Sequence, residues 1–105
     1  MDFAEKIYQA TEGFPRTEQF GLSQQMRRAA VSVVSNIAEG SARKNTGELK
    51  QFIYISLASL SELETQLLLS ERLKFCEIHS SGILNELHRV RRMLTGLLSS
   101  LNRKA

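Results

Sequence analysis

Tryptophan is absent from this 105-residue chain, and proline and cysteine occur once each, as Pro15 and Cys76. A lone cysteine excludes an internal disulfide and any multi-cysteine metal site, and it suits a reducing compartment. Histidine is nearly as scarce, with only His79 and His88. No Glu is followed three positions later by His, which removes the di-iron pattern of many four-helix carboxylate proteins. H-E-x-x-H, a glycine-rich phosphate loop and G-x-S-x-G are missing as well. No apolar run reaches the roughly 18 residues that span a bilayer. The opening stretch MDFAEKIYQ is acidic and amphipathic rather than signal-like. Together these absences predict a cytoplasmic protein that is not an enzyme, holds no metal or cofactor and meets no membrane. Cys76 is then an ordinary boundary thiol, with Lys74 close enough to lower its pKa modestly.

What is present is helical. Leu, Ala, Ser, Glu and Arg dominate, all compatible with helix, and the length predicts one domain over residues 1–105. Helix one is expected over Asp2 to Glu12, with Phe3, Ile7 and Ala10 or Thr11 inward. Gly13-Phe14-Pro15-Arg16 makes a turn, with Phe14 folded back as an anchor. Thr17 is the expected cap of helix two, which runs to about Ala42. Leu22, Met26, Ala29, Ala30, Val33, Ile37 and Gly40 form its apolar face. Beside that face runs a polar row of Arg28, Ser32, Ser35, Glu39 and Arg43, small enough at its serines for a close helix–helix approach.

Asn45 and Glu48 make a broad capping box for helix three, expected from Thr46 or Gly47 to about Lys74. Its stripe is Leu49, Phe52, Ile53, Ser56, Leu60, Leu63 and Leu67, widened by Leu57 and Leu68. Ile55 and Leu69 fall almost opposite, either as stray surface residues or as a second interface. Glu64 lies inside the apolar arc and must find an arginine or solvent. Helix four, capped by Ser80 or Ser81, carries the seam Ile83, Leu87, Val90, Leu94, Leu97 and Leu101. His88 is expected on its outer side. Its opposite row is Asn85, Arg89, Arg92, Gly96, Ser99 and Arg103. Short loops between long amphipathic rods predict an all-α, antiparallel up-down four-helix bundle.

The net charge of +3 is unevenly spread. Residues 1–14 sum to −2, 15–45 to +3, 46–79 to −2 and 80–105 to +4. Such blocks fit either a nucleic-acid surface or pairing between basic and acidic helices. The nucleic-acid candidates are Arg43, Lys44, Arg89, Arg92, Arg103 and Lys104, since guanidinium forks match phosphate oxygens. Aromatics are only 7% of the chain, so stacking on single-stranded bases is poorly supplied. Any readout is therefore of RNA (or DNA) shape and backbone. A solvated charged face is the competing reading. Arg28, Ser32, Ser35, Asn36, Glu39, Ile55 and Leu69 are the candidates for helix packing or for an interface between copies. Asn36 and Glu39 serve as register-setting polar groups, Glu39 through an i,i+4 pair with Arg43.

The run Arg27-Arg28-Ala29-Ala30-Val31-Ser32-Val33-Val34-Ser35-Asn36-Ile37-Ala38-Glu39-Gly40 resembles the signature R-A-A-x-S-x-x-S-N-I-A-E-G. That signature belongs to the four-helix-bundle proteins first noticed as products of intervening sequences in 23S ribosomal RNA genes. Phe20-Gly21-Leu22, Ser59 to Leu67 and Arg92 to Leu98 are similar as well. Two departures stand out. Family chains usually begin with about a dozen more residues, including a Trp-containing start of helix one, and Met1 falls inside that helix here: either the start lies further upstream, or helix one is short and part of the bundle top is less covered. Val34 stands where many members have Pro. The resemblance implies a bundle assembled into a ring, typically a homopentamer, with a basic surface that associates with nucleic acid. A related bundle is the accessory protein of a retroelement reverse transcriptase, which keeps open a rival reading as an adaptor for an acidic protein partner. A third reading is a selfish-element passenger without a host target.

Overall fold

The computed structural model describes residues 2–18, 21–77 and 82–104. They form α1 (Asp2–Glu12), a 3-10 turn (Arg16–Glu18), α2 (Leu22–Ser41), α3 (Thr46–Arg72) and α4 (Ile83–Lys104), with no strand among the described residues. α1 packs against α2 and α4, and α3 packs against the same two helices. The result is a four-helix bundle with its core on the central axis.

The limits of α1 are those its sequence predicts, and Phe3, Ile7 and Thr11 are buried at steps of four. After Gly13, the Phe14 ring tilts onto Phe75 at 5.4 Å and ties this turn to the end of α3. The start of α2 differs from expectation. Thr17 does not cap it; a single 3-10 turn intervenes and the helix begins at Leu22, after Gly21. Glu18 supplies the missing acceptors. Its Oε2 accepts the Leu22 N–H at 3.2 Å, and its carbonyl accepts from Gly21 N at 3.1 Å and Ser23 Oγ at 2.6 Å. A carboxylate at a helix N-terminus is also favoured by the helix dipole. Gly21 makes room for it, because a Cβ there would stand 2.8 Å from Glu18 Oε2.

α2 and α3 meet through small residues. Ser56 Oγ donates to the Val33 carbonyl at 3.0 Å, and Ser32 Oγ lies 2.9 Å from Ser59 Oγ. Ser70 Oγ donates to the Gln66 carbonyl at 2.7 Å and touches Met26 Sδ at 3.4 Å. At the far end, a Cβ on Gly40 would lie 3.0 Å from both Leu49 Cδ1 and Phe52 Cβ. The expected stripe is buried at Ile53, Ser56, Leu60, Leu63 and Leu67, with Leu49 and Leu57 half-buried. Leu68 does not widen it; it is 45% exposed. The Asn45 cap forms as expected, Oδ1 accepting from Gly47 N at 2.7 Å and Glu48 N at 3.3 Å.

α3 closes on Lys74, which takes a left-handed φ of 63° so that Phe75 N can reach the Ser70 carbonyl at 2.9 Å. Ser80, Ser81 and His79 lie outside the described residues. Along α4, Ile83, Leu87, Leu94 and Leu98 are buried, while Leu97, expected in the seam, is 43% exposed. The strict alternation of fours and threes averages 3.5 residues, and a straight helix of 3.6 drifts about 20° per heptad against it. By the last turns the inward position has therefore passed from Leu97 to Leu98.

Two outcomes follow for stability. Gly40→Val should lower unfolding free energy by about 1–3 kcal/mol through overpacking, read from urea denaturation midpoints. Lys74→Gly should raise it by about 1 kcal/mol, because only glycine enters the left-handed region without a Cβ penalty.

Candidate nucleic-acid interface

The outer row of α4 stands in solvent: Asn85, Arg89, Arg92, Gly96, Ser99 and Arg103 are all exposed. Arg89 Nη1 lies 3.5 Å from Glu86 Oε1, with two-thirds of its side chain exposed. Arg92 and Arg103 make no ion pair among the described residues. From Arg89 to Arg103 the row spans about 21 Å at 1.5 Å per residue. Lys104 is the last described residue of α4 and its side chain lies outside the description.

Arg43 is differently placed. It pairs with Glu39 at 2.9 Å, the i,i+4 contact its spacing predicts. Its guanidinium also sits 5.1 Å from the centroid of the Phe52 ring. Lys44 beside it is exposed. These two residues close α2, whereas the remaining candidates lie along α4.

Other cations are absorbed by the fold. Arg27 donates from Nε to Thr11 Oγ1 at 2.7 Å and from Nη2 to the Tyr8 carbonyl at 3.2 Å, with its charge 4.7 Å above the Tyr8 ring. Glu64 finds the arginine it requires: Arg91 Nη2 lies 2.9 Å from its Oε1. His88, expected on the outer side of α4, instead turns toward α3, 3.8 Å from Glu64 Oε2. Arg91 Nη1 stands 3.4 Å from His88 Nδ1. Arg91 was not singled out by the sequence; the signal for it was the need of Glu64 for a cation.

The residues expected to set helix packing share the outer face of α2 and α3. Ser32 bonds across to Ser59, and Asn36 Nδ2 donates to the Ser32 carbonyl at 2.7 Å and its Oγ at 3.1 Å. Arg28 and Ser35 are exposed, as are Ile55 and Leu69, each at 46%. Gln66 was missed altogether; it is buried in α3 and donates to Glu62 Oε1 at 3.2 Å.

No cluster of three metal-ligating side chains occurs among the described residues. A depression of about 500 Å³ between α1 and α2 is lined by Thr11, Phe14, Arg16, Ser23 and Arg27. Its two hydroxyls both donate to backbone carbonyls, which leaves no activated nucleophile there. No described helix is long and apolar enough to cross a membrane. The site thus offers a row of exposed guanidiniums along α4, of which Arg92 and Arg103 make no ion pair among the described residues.

A family model described as 23S rRNA-intervening sequence protein matches residues 1–96 of the chain. No curated protein matches it.

Cys76 departs from the expected direction. Burial and then the nearby Glu71 carboxylate push its thiol above the ordinary cysteine value. Lys74 does not offset them. A raised pKa means less thiolate near neutrality, so Cys76 should react with a disulfide reagent at pH 8 several-fold more slowly than glutathione. Reaction at the glutathione rate or faster would contradict this placement.

Proposed function

The chain belongs to the family of 23S rRNA-intervening sequence proteins, and from that premise we propose a non-enzymatic module that binds structured RNA through the phosphate backbone. The observation that carries this reading is the α4 row, where Arg92 and Arg103 are exposed and make no ion pair among the described residues, and Arg89 is held only loosely. A guanidinium left in solvent by its own fold offers two parallel donors to a phosphate at little desolvation cost. Lys44 and Lys104 add charge, and Arg43 joins after releasing Glu39. The bundle is antiparallel and up-down, and it assembles as a cyclic homo-oligomer, a pentamer as in the family it resembles. The face holding Arg28, Ser32, Ser35, Asn36, Glu39, Ile55 and Leu69 is the one that meets the next copy. Repetition around the ring multiplies individually weak phosphate contacts by avidity. The protein acts in the cytoplasm, and its readout is of duplex shape rather than of base sequence.

Filter binding of an RNA hairpin across a salt series tests this. Affinity should fall linearly on a log–log plot. Arg89→Ala/Arg92→Ala should weaken binding at low salt at least tenfold and shallow the slope by roughly one per engaged arginine. Unchanged affinity and slope in the double variant would refute the assignment.

A further inference from the structure

The depression between the end of α1 and the start of α2 holds a charge that the fold does not neutralise. Arg27 is half-buried there, and its bonds go to neutral acceptors: Thr11 Oγ1 at 2.7 Å from Nε and the Tyr8 carbonyl at 3.2 Å from Nη2. The Tyr8 ring lies 4.7 Å from the same guanidinium. No carboxylate pairs with Arg27 among the described residues. Taking a cation partly out of water without a counter-ion is costly, and an anion brought to it recovers part of that cost. The two bonds fix the plane of the guanidinium and leave Nη1 without a partner among the described residues. Arg16, in the 3-10 turn, lines the same depression. It is exposed and makes no ion pair among the described residues either. Phe14 and Pro15 give the depression an apolar wall, and the Phe14 ring is steadied by Phe75 at 5.4 Å. Glu12 and Gln24 add hydrogen-bonding groups to the lining. Its volume of about 500 Å³ falls within the range of small-molecule sites, about 300–1,000 Å³.

We propose that this depression binds a nucleoside monophosphate unit, either free or as the unpaired 5′ end of an RNA, with the phosphate held by Arg16 and Arg27. Three features specify that chemistry. Guanidiniums with open donor edges match the paired oxygens of a phosphate, and two of them line this one depression. The apolar wall suits the flat face of a base, which stacks on an aromatic ring whatever its sequence. Glu12 can only accept when ionised, so its place in the lining calls for donors, and the ribose hydroxyls supply them. A bare phosphate would leave the wall unused and meet Glu12 as a like charge. The site lies on α1, the 3-10 turn and α2 and shares no residue with the α4 row, so it stands independently of the RNA reading of that row.

Adenosine 5′-monophosphate titrated into the isotopically labelled full chain tests this, with calorimetry for affinity and amide shifts to locate the contact. Shifts should centre on Phe14, Arg16, Gln24 and Arg27. Adenosine and inorganic phosphate should each bind about tenfold more weakly, since each lacks one half of the contacts. Arg16→Ala, at an exposed position, should keep the thermal midpoint and weaken the nucleotide about tenfold, roughly the worth of one charge-assisted hydrogen bond. Glu12→Gln should weaken it several-fold, whereas a carboxylate that merely repelled the phosphate would give tighter binding on removal. Arg89→Ala/Arg92→Ala should weaken an RNA hairpin but not the nucleotide, which separates this site from the α4 row. A hairpin with a short 5′-phosphorylated overhang identifies the source. Shifts at the same residues, absent with the blunt hairpin, mark an RNA end; shifts with the mononucleotide alone mark a free ligand. The proposal is overturned if neither probe shifts these amides, or if adenosine or phosphate binds as tightly as the nucleotide. Unchanged affinity in Arg16→Ala, or tighter binding to Glu12→Gln, would overturn it as well.

Discussion

The close approach of α2 to α3 is the constraint on which the other contacts rest. Gly40 lets Leu49 and Phe52 of α3 come within 3.0 Å of where a side chain would begin. Ser32, Ser56, Ser59 and Ser70 convert the rest of the seam into hydrogen bonds and small-atom contacts. Two buried hydroxyls, Ser56 and Ser70, are tolerated because each donates to a backbone carbonyl. With the long pair fixed at short range, Ile53, Leu60, Leu63 and Leu67 are set against Met26, Ala30 and Val33. α1 and α4 then need to contribute only one narrow apolar seam each.

That economy determines the chemistry of the exterior. α4 gives Ile83, Leu87, Leu94 and Leu98 to the core, with Leu84, Val90 and Leu101 packed against it, and its outer row from Asn85 to Arg103 stands exposed. Its cations divide accordingly. Arg91 lies at the α3 boundary and is held by Glu64, both side chains being mostly buried, where screening by salt is weak. Arg27 does the same service between α1 and α2. Arg92 and Arg103 have no such partner among the described residues. Exposed ion pairs contribute little to stability, so Arg89 can leave Glu86 for a phosphate at small cost. The fold therefore sorts its arginines into structural and available ones by how near each lies to a helix seam.

Much of this was legible in the residues. The ends of α1, the Asn45 cap, the apolar stripe of α3 and the need of Glu64 for a cation all depend on local spacing or on the cost of an unpaired carboxylate, and both survive folding. The failures share a physical origin in contacts that spacing does not encode. Thr17 looked like the cap because it is the right residue type near the right place. Glu18 won because a 3-10 turn aims its side chain and its carbonyl together at the helix start. Leu97 lost its inward position to Leu98 through the mismatch between 3.5 and 3.6 residues per turn. His88 and Arg91 depend on a partner in another helix, and Cys76 on its burial and on the Glu71 carboxylate. The outer row of α4 was legible, since a row without apolar residues has nowhere to go but solvent.

Arginine modification followed by mass spectrometry tests this sorting most directly, with phenylglyoxal applied to the free protein and to the protein saturated with an RNA hairpin. Arg92 and Arg103 should react fast when free and become protected by the RNA, while Arg27 and Arg91 should react slowly in both states. Fast reaction of Arg27 and Arg91, or RNA that leaves Arg92 and Arg103 as reactive as before, would contradict the account.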